Sequence, residues 1–397
     1  MSFTEKHFFR IGSFVFCLSF FLALIYALDP NDASFGAESV PVFKYLPIFM
    51  ASFSLIFFID KIRLVIGRYK IEFFSVGILA LWMILGGIIS IKFYHLNVEN
   101  SFLGRGLCTS VFIPSLFMFS STTEKNFFLN INSIPLKLYG VISVLLIVSW
   151  TFVTRFARVD HIFHEEVFLI GSCGMYLYSS FRDRILKNLL IAGFILGVFL
   201  THKNTGFIVG FIMIAFFVYE EVKRRSFRHE NIMFRRIFLV LIGFFIIFVV
   251  LYVVFFASQL IPSGSPGVRI KTYDIRIGEF LKSIVLGKFF IGSPLIELRT
   301  KYSSLIIPSH SDLLDLLAFG GIVGLGLFFG PIFVVLKFLK RRGEMYPSLF
   351  VGIFLVMSFV IESAFNPIIN QPKLSFFYWT FLAFVVTSIK ERCTDKC

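Results

Sequence analysis

The chain has 397 residues, of which 57% are hydrophobic and 16% charged, against roughly 45–50% and 25% in ordinary soluble domains. That balance excludes a soluble globular domain, and apolar runs of about 20 residues, each able to cross a hydrocarbon core of about 30 Å, recur from end to end. The formal charge of +14 does not argue for nucleic acid, because the Lys and Arg sit mostly in short loops between the runs, where they report topology.

In chain order the apolar segments fall at residues 8–28, 42–60, 71–91, 105–120, 137–154, 166–180, 189–201, 205–220, 237–258, 313–336, 348–366 and 374–389. They predict an all-α, polytopic integral membrane protein of about twelve transmembrane helices, a single membrane domain over residues 1–397. The first run reads as a helix rather than a cleaved signal, since no small-residue cleavage site follows it. The 57 phenylalanines are spread through nearly every run, as lipid-facing and packing residues are. Of the 5 cysteines, Cys17, Cys108 and Cys173 lie inside apolar runs and Cys393 and Cys397 in the tail, so neither a disulfide framework nor a metal site is expected. The short loops "KIRLVIGRYK", "RDRILK" and "KFLKRR" fall on one side and carry much of the basic charge, which places both termini in the cytoplasm.

Two outward-facing stretches in the middle of the chain carry candidate chemistry. In "RFARVDHIFHEE", residues 155–166, His161 and His164 have a His-x-x-His spacing beside Glu165 and Glu166, but no further ligand pattern supports a metal there. In "FLTHKNTGF", residues 199–207, Lys203 stands in a tight outer turn. It is either a substrate-facing cation or a snorkelling lysine.

The connection between the ninth and tenth spans, residues 259–312, is long and opens with the turn-rich "IPSGSPG". Connections of that length are usually functional or disordered, and this one has helical patterning. Ile270, Tyr273, Ile277, Phe280, Leu281 and Ile284 recur at helical spacing, predicting an amphipathic helix on or near the membrane surface. On it, Arg269, Tyr273, Arg276 and Phe280 form a stripe of cations and aromatics. Such a stripe suits a phosphate or pyrophosphate; the plainer alternative is a solvated face against anionic headgroups.

That loop runs into "IIPSHSDLLDLLAFGGIVGLGLFFG", residues 306–330. Ser309 to Asp312 matches the S-x-x-D capping box, which predicts a helix beginning at His310 with Ser309 as its cap. A histidine in that first turn meets the positive end of the helix dipole, which favours the neutral imidazole a general base needs. The alternative is a structural, hydrogen-bonding histidine. Capping accounts for Asp312, and Asp315 reads as a polar residue at the interface. Gly320 with Gly324, and Gly326 with Gly330, make pairs that allow close helix packing.

Three of these stretches together resemble the bacterial O-antigen polymerase and O-antigen ligase superfamily. "PSHSDLLDLLAFGGIVGLGLF" looks like the family's His-Asn-x-x-Leu head before a glycine-bearing helix, with Ser311 in place of Asn. "DIRIGEFLKSIVLGKFFIGSP" is similar to its arginine followed four residues later by an aromatic, here Arg276 and Phe280. "LTHKNTGF" looks like its Thr-x-Ser-Arg-x-Gly turn, with Lys203 and Asn204 where Ser and Arg are usual.

The resemblance implies a metal-independent, cofactor-free glycosyltransferase in the bacterial inner membrane, within lipopolysaccharide biosynthesis. Its substrate would be an undecaprenyl-pyrophosphate-linked oligosaccharide held at the periplasmic face, in contact with the bilayer, and its partners would include a chain-length regulator. A repeat-unit polymerase is the reading it favours. A ligase acting on lipid A-core is the alternative within the family, and a lipid-linked oligosaccharide flippase the alternative outside it. Carried over to this sequence, His310 is the base that accepts the acceptor's proton, while Arg276, with Arg269 and Lys203, neutralises the departing pyrophosphate.

Overall fold

A computed structural model describes residues 3–27, 41–98, 100–120, 125, 127–128, 265–299, 304–340, 347–369 and 371–394. The five expected spans between residues 137 and 258, Lys203, and the cluster His161, His164, Glu165 and Glu166 lie outside the described residues. The described part is mostly helical: α1 (Phe3–Ala27), α2 (Pro41–Ser54) continued by a 3-10 turn (Leu55–Lys61), α3 (Ile62–Arg68), α4 (Lys70–Tyr94), α5 (Phe102–Ser110), α6 (Phe112–Met118), α7 (Ser265–Lys282), α8 (Asp312–Lys340), α9 (Pro347–Ser363) and α10 (Pro372–Thr394). Among the described residues three helices are long and apolar enough to cross a membrane, within α1 (His7–Leu24), α4 (Lys70–Tyr94) and α8 (Asp312–Leu339).

The helices cover the expected runs in this part, with differences that have local causes. The run expected at 105–120 is divided at Val111 into α5 and α6. Pro114 has no N–H to return to Ser110, and its ring crowds that carbonyl; Val111 instead donates to Cys108 one residue nearer. The all-α expectation is modified by a hairpin inside the long loop, where β1 (Leu295–Arg299) pairs antiparallel with β2 (Ser304–Pro308) in the register Leu295 to Pro308. Its residues Leu, Ile, Leu and Leu, Ile, Ile suit a pleated, half-buried surface better than a surface helix.

α10 is the centre of the bundle. It is apolar around its whole circumference from Leu374 to Ile389, every residue of that stretch is buried, and α1, α2, α5, α6, α8 and α9 pack around it. A helix apolar on all sides must be enclosed on all sides. α4 has two faces instead. Ser75, Leu79, Met83, Gly86, Gly87 and Ser90 are buried, whereas Ile71, Ile78, Leu81, Leu85 and Ile88 point outward. The inner stripe is rich in small residues, so α5 approaches until a Cβ on Gly87 would lie 2.6 Å from the Leu103 Cα. Small residues within and large aliphatic ones without are what a lipid-solvated helix pair requires.

Candidate functional site

The site is built where α5, α7 and the start of α8 meet, and its geometry corrects the sequence reading of the His310 segment. α8 begins at Asp312, not at His310. Its cap is Ser311, whose Oγ accepts from the Leu314 N–H at 3.3 Å, the position a cap oxygen serves. Ser309 acts outside the helix, where its hydroxyl donates to the Ser311 carbonyl and accepts from the Ser311 N–H. These bonds close a tight turn around His310, which adopts φ 57°. That left-handed conformation costs a residue with a Cβ roughly 1–2 kcal/mol, so the surrounding bonds must hold it there.

α7 grips the same turn. Thr272 Oγ1 lies 3.2 Å from the Ser309 carbonyl, to which it donates, and 2.7 Å from its own helix's Arg269 carbonyl. The half-buried His310 is consequently beside Arg269. Burial first, and the Arg269 charge second, hold its imidazole below the ordinary value of 6.5. The neutral imidazole expected from the sequence therefore has a different physical origin, desolvation and a neighbouring cation rather than a place in the helix's first turn. Arg269 Nε is buried and has no hydrogen-bond partner. Tyr273, one turn along α7, is pushed up by burial despite the same guanidinium.

Beneath the turn lies a buried charge lattice that sequence reasoning missed. Asp312 and Asp315, both fully buried, face Arg105 of α5, whose guanidinium nitrogens stand 3.3 Å from Asp312 Oδ1 and 2.8 Å from Asp315 Oδ2. Asp312 Oδ2 also accepts from the Ile369 N–H at 2.6 Å, so it is not the reciprocal arm of a capping box. A signal was available: two carboxylates three residues apart at the head of a membrane helix need cations at the same depth, and Arg105 opens the fourth apolar run.

Arg276 also belongs to this lattice. Only 2% exposed, it donates from Nε to Asp315 at 2.8 Å and from Nη1 to Glu279 at 2.6 Å. Nη2 donates to the carbonyls of Ser293 and Pro294, and the Phe319 ring lies 4.7 Å from the guanidinium carbon. Lys288 completes the row with a 2.6 Å bond to the other Glu279 oxygen. Burial pushes the Glu279 carboxyl up, but the hydrogen bonds from Lys288 and Arg276 outweigh it and leave it below the usual range.

The expected stripe is therefore divided by function. Arg269, Tyr273 and His310 come together, whereas Arg276 turns inward and spends its donors on the protein. The apolar side of α7 is also opposite to its place in a soluble amphipathic helix: Thr272 and Arg276 are buried, while Ile270, Ile277 and Leu281 point outward. Among the described residues no group of three or more His, Cys, Asp and Glu is placed to hold a metal ion. No known protein family and no curated protein matches this sequence.

Proposed function

We propose that this protein is an inner-membrane glycosyltransferase that joins undecaprenyl-pyrophosphate-linked oligosaccharide repeat units, an O-antigen polymerase with both termini in the cytoplasm and its site at the periplasmic face. The observation that carries this reading is the pairing of a strained His310, kept neutral by burial, with an Arg269 whose buried Nε has no partner. Both stand at the head of an apolar helix long enough to cross the membrane.

In this proposal the acceptor hydroxyl attacks the anomeric carbon of the donor. A C–O bond to the acceptor forms as the bond to the pyrophosphate oxygen breaks, and the pyrophosphate leaves with the electron pair. The acceptor's proton passes to the imidazole of His310, acting as general base. Arg269, with Lys203, stabilises the charge growing on the leaving group. Arg276 acts through the lattice, setting the height and angle of α7 against α8. A single displacement of this kind inverts the anomeric centre.

The test is the lipopolysaccharide profile of a deletion strain complemented with the intact gene or with His310→Ala. A polymerase leaves core bearing a single repeat unit when the gene is lost, and His310→Ala fails to restore the ladder at normal protein level. Bare core with polymer stranded on its carrier would make the protein a ligase. Repeat units trapped on the cytoplasmic side would make it a flippase, and an unchanged ladder would remove all three.

A further inference from the structure

α8 is broken at Gly321, whose φ of 61° and ψ of −162° lie outside any helix. In a continuous helix the Ile322 N–H would reach the Ala318 carbonyl and the Val323 N–H the Phe319 carbonyl. Both pairs are instead satisfied by the turn that follows α7. Ile322 and Val323 donate to the carbonyls of Ile284 and Val285 at 2.9 and 3.2 Å, and the carbonyls of Ala318 and Phe319 accept from Lys288 and Phe290 at 3.3 and 2.9 Å. The turn is thus spliced into the break, and no backbone group of those two pairs is left bare.

Two helices fix the depth at which this happens. Ile322 lies about 15 Å along α8 from its start at Asp312, at roughly 1.5 Å per residue. On the other side the turn rests on Gly86, where a Cβ would come within 2.6 Å of the Phe289 and Phe290 carbonyls. Gly86 is about 12 Å from the end of α4, and Ser90 of the same helix accepts from the Gly292 N–H at 2.8 Å. Against a hydrocarbon core of about 30 Å, and so about 15 Å per leaflet, both marks fall in the deep part of one leaflet, the α8 mark close to the midplane.

The side chains that the turn presents outward suit that depth. Leu281 is 63% exposed and Val285 62%, and Ile284, Leu286 and Phe289 are exposed beside them. This surface continues into the outward residues Ile322 and Val323 of α8, and Phe289 meets Trp82 of α4 edge-on at 6.0 Å. The Lys288 ammonium is neutralised by Glu279 at 2.6 Å, and Lys282 has a stem long enough to carry its ammonium toward the headgroups. Irregular backbone is tolerated at membrane depth only where it is buried against protein, and here the backbone of the turn lies against Gly86 of α4 and the break in α8, with which it makes four hydrogen bonds.

We infer that the end of α7 and the turn from Ser283 to Ile291 form a re-entrant segment seated among the acyl chains of the leaflet on the Asp312 side. The occupant of its apolar face is bilayer hydrocarbon, not water and not a second protein surface. The long loop is therefore anchored within the membrane, which holds Arg269 and His310 at the level of the lipid headgroups. This inference is independent of the reaction proposed above.

It is tested on the full chain in liposomes of phosphatidylethanolamine and phosphatidylglycerol. Nitroxide labels at Val285→Cys and Phe289→Cys, with the labelled parent chain subtracted, are compared with a label at the exposed Lys271→Cys. The expected result is higher collision with dissolved oxygen and lower collision with a water-soluble nickel chelate at 285 and 289 than at 271. Phe289→Trp, which keeps an aromatic ring at the site, is expected to be quenched by lipids brominated on their acyl chains. Nickel access at 289 equal to that at 271 would overturn the inference. So would loss of both oxygen and lipid quenching through coverage by another part of the chain or by a second copy.

Discussion

Buried ion pairs occur at both ends of the described bundle, and they are built differently. At the end where α4 begins and α10 finishes, Lys390 reaches Glu72 at 2.8 Å and the Arg68 carbonyl at 3.1 Å, and Lys125 reaches Glu391 at 2.6 Å. Each carboxylate there meets a flexible ammonium, and the Lys390 side chain keeps 26% of its surface exposed. At the other end Asp312 and Asp315 are shared by two arginines, 2% exposed each, on different helices. Only this second lattice adjoins a left-handed histidine and a buried guanidinium nitrogen without a partner. Burial of charge therefore does not distinguish a site from a strut in this molecule. Backbone strain does, since buried polar atoms without a partner also occur at the Lys390 end, at Tyr69 Oη and Ser388 Oγ.

The largest effect should follow from emptying the arginine lattice. Arg276→Ala takes one of two cations from Asp315 and leaves Glu279 with Lys288 alone, and Arg105→Ala strands Asp312. Each is expected to cost about 3–5 kcal/mol, because the remaining buried carboxylate loses its compensating charge. Thermal unfolding in detergent micelles measures this. Arg105→Ala combined with Asp315→Asn should cost less than the sum of the single changes, since both act on one lattice. A strictly additive result would mean that the two residues do not share an ion pair.

His310 should behave in the opposite way. His310→Gly removes a Cβ from a left-handed residue and should leave stability unchanged or raise it by up to about 1 kcal/mol. Transfer should nevertheless fall by about 10²- to 10⁴-fold, the usual worth of a positioned base. A purely structural histidine would lose stability and activity together. The rate of the intact protein should rise with pH through a midpoint below 6.5, because the base works only when neutral and its imidazole is held low by burial and by Arg269. Arg269→Met removes the second of those causes, so the acid limb should move to higher pH while the burial contribution remains. An acid limb that stays where it was would separate Arg269 from the imidazole.

These contrasts also mark what the amino-acid sequence could convey. The helices α4, α8, α9 and α10 were legible from their apolar runs, because a run of that length has few other ways to satisfy its backbone in lipid. The head of α8 was misplaced because Ser309 and Ser311 both stand before an acidic residue, and only the turn at His310 decides which hydroxyl faces a free amide. Arg105 and Asp315 were hidden for a related reason. Their partnership spans α5 and α8, far apart in the chain, and no spacing rule joins them. The break at Gly321 leaves no mark beside the packing pair Gly320 and Gly324, since nothing local reveals that a distant turn will supply the missing hydrogen bonds.

The smallest expected effect tests the strut at the opposite end. Lys390→Met keeps most of the stem that covers Tyr69, whose ring lies 5.5 Å from the ammonium, and removes the charge facing Glu72. Because that ammonium is partly exposed, water already screens it, and the loss should fall below the roughly 3–5 kcal/mol of breaking a fully buried pair. Glu72 is fully buried, so part of that loss comes from a carboxylate left without its cation. The unfolding temperature should fall slightly and transfer at the far end should be unchanged. A fall as large as that of Arg276→Ala would show the two ends to be equivalent, and the difference between lattice and strut would then lie only in the backbone around His310.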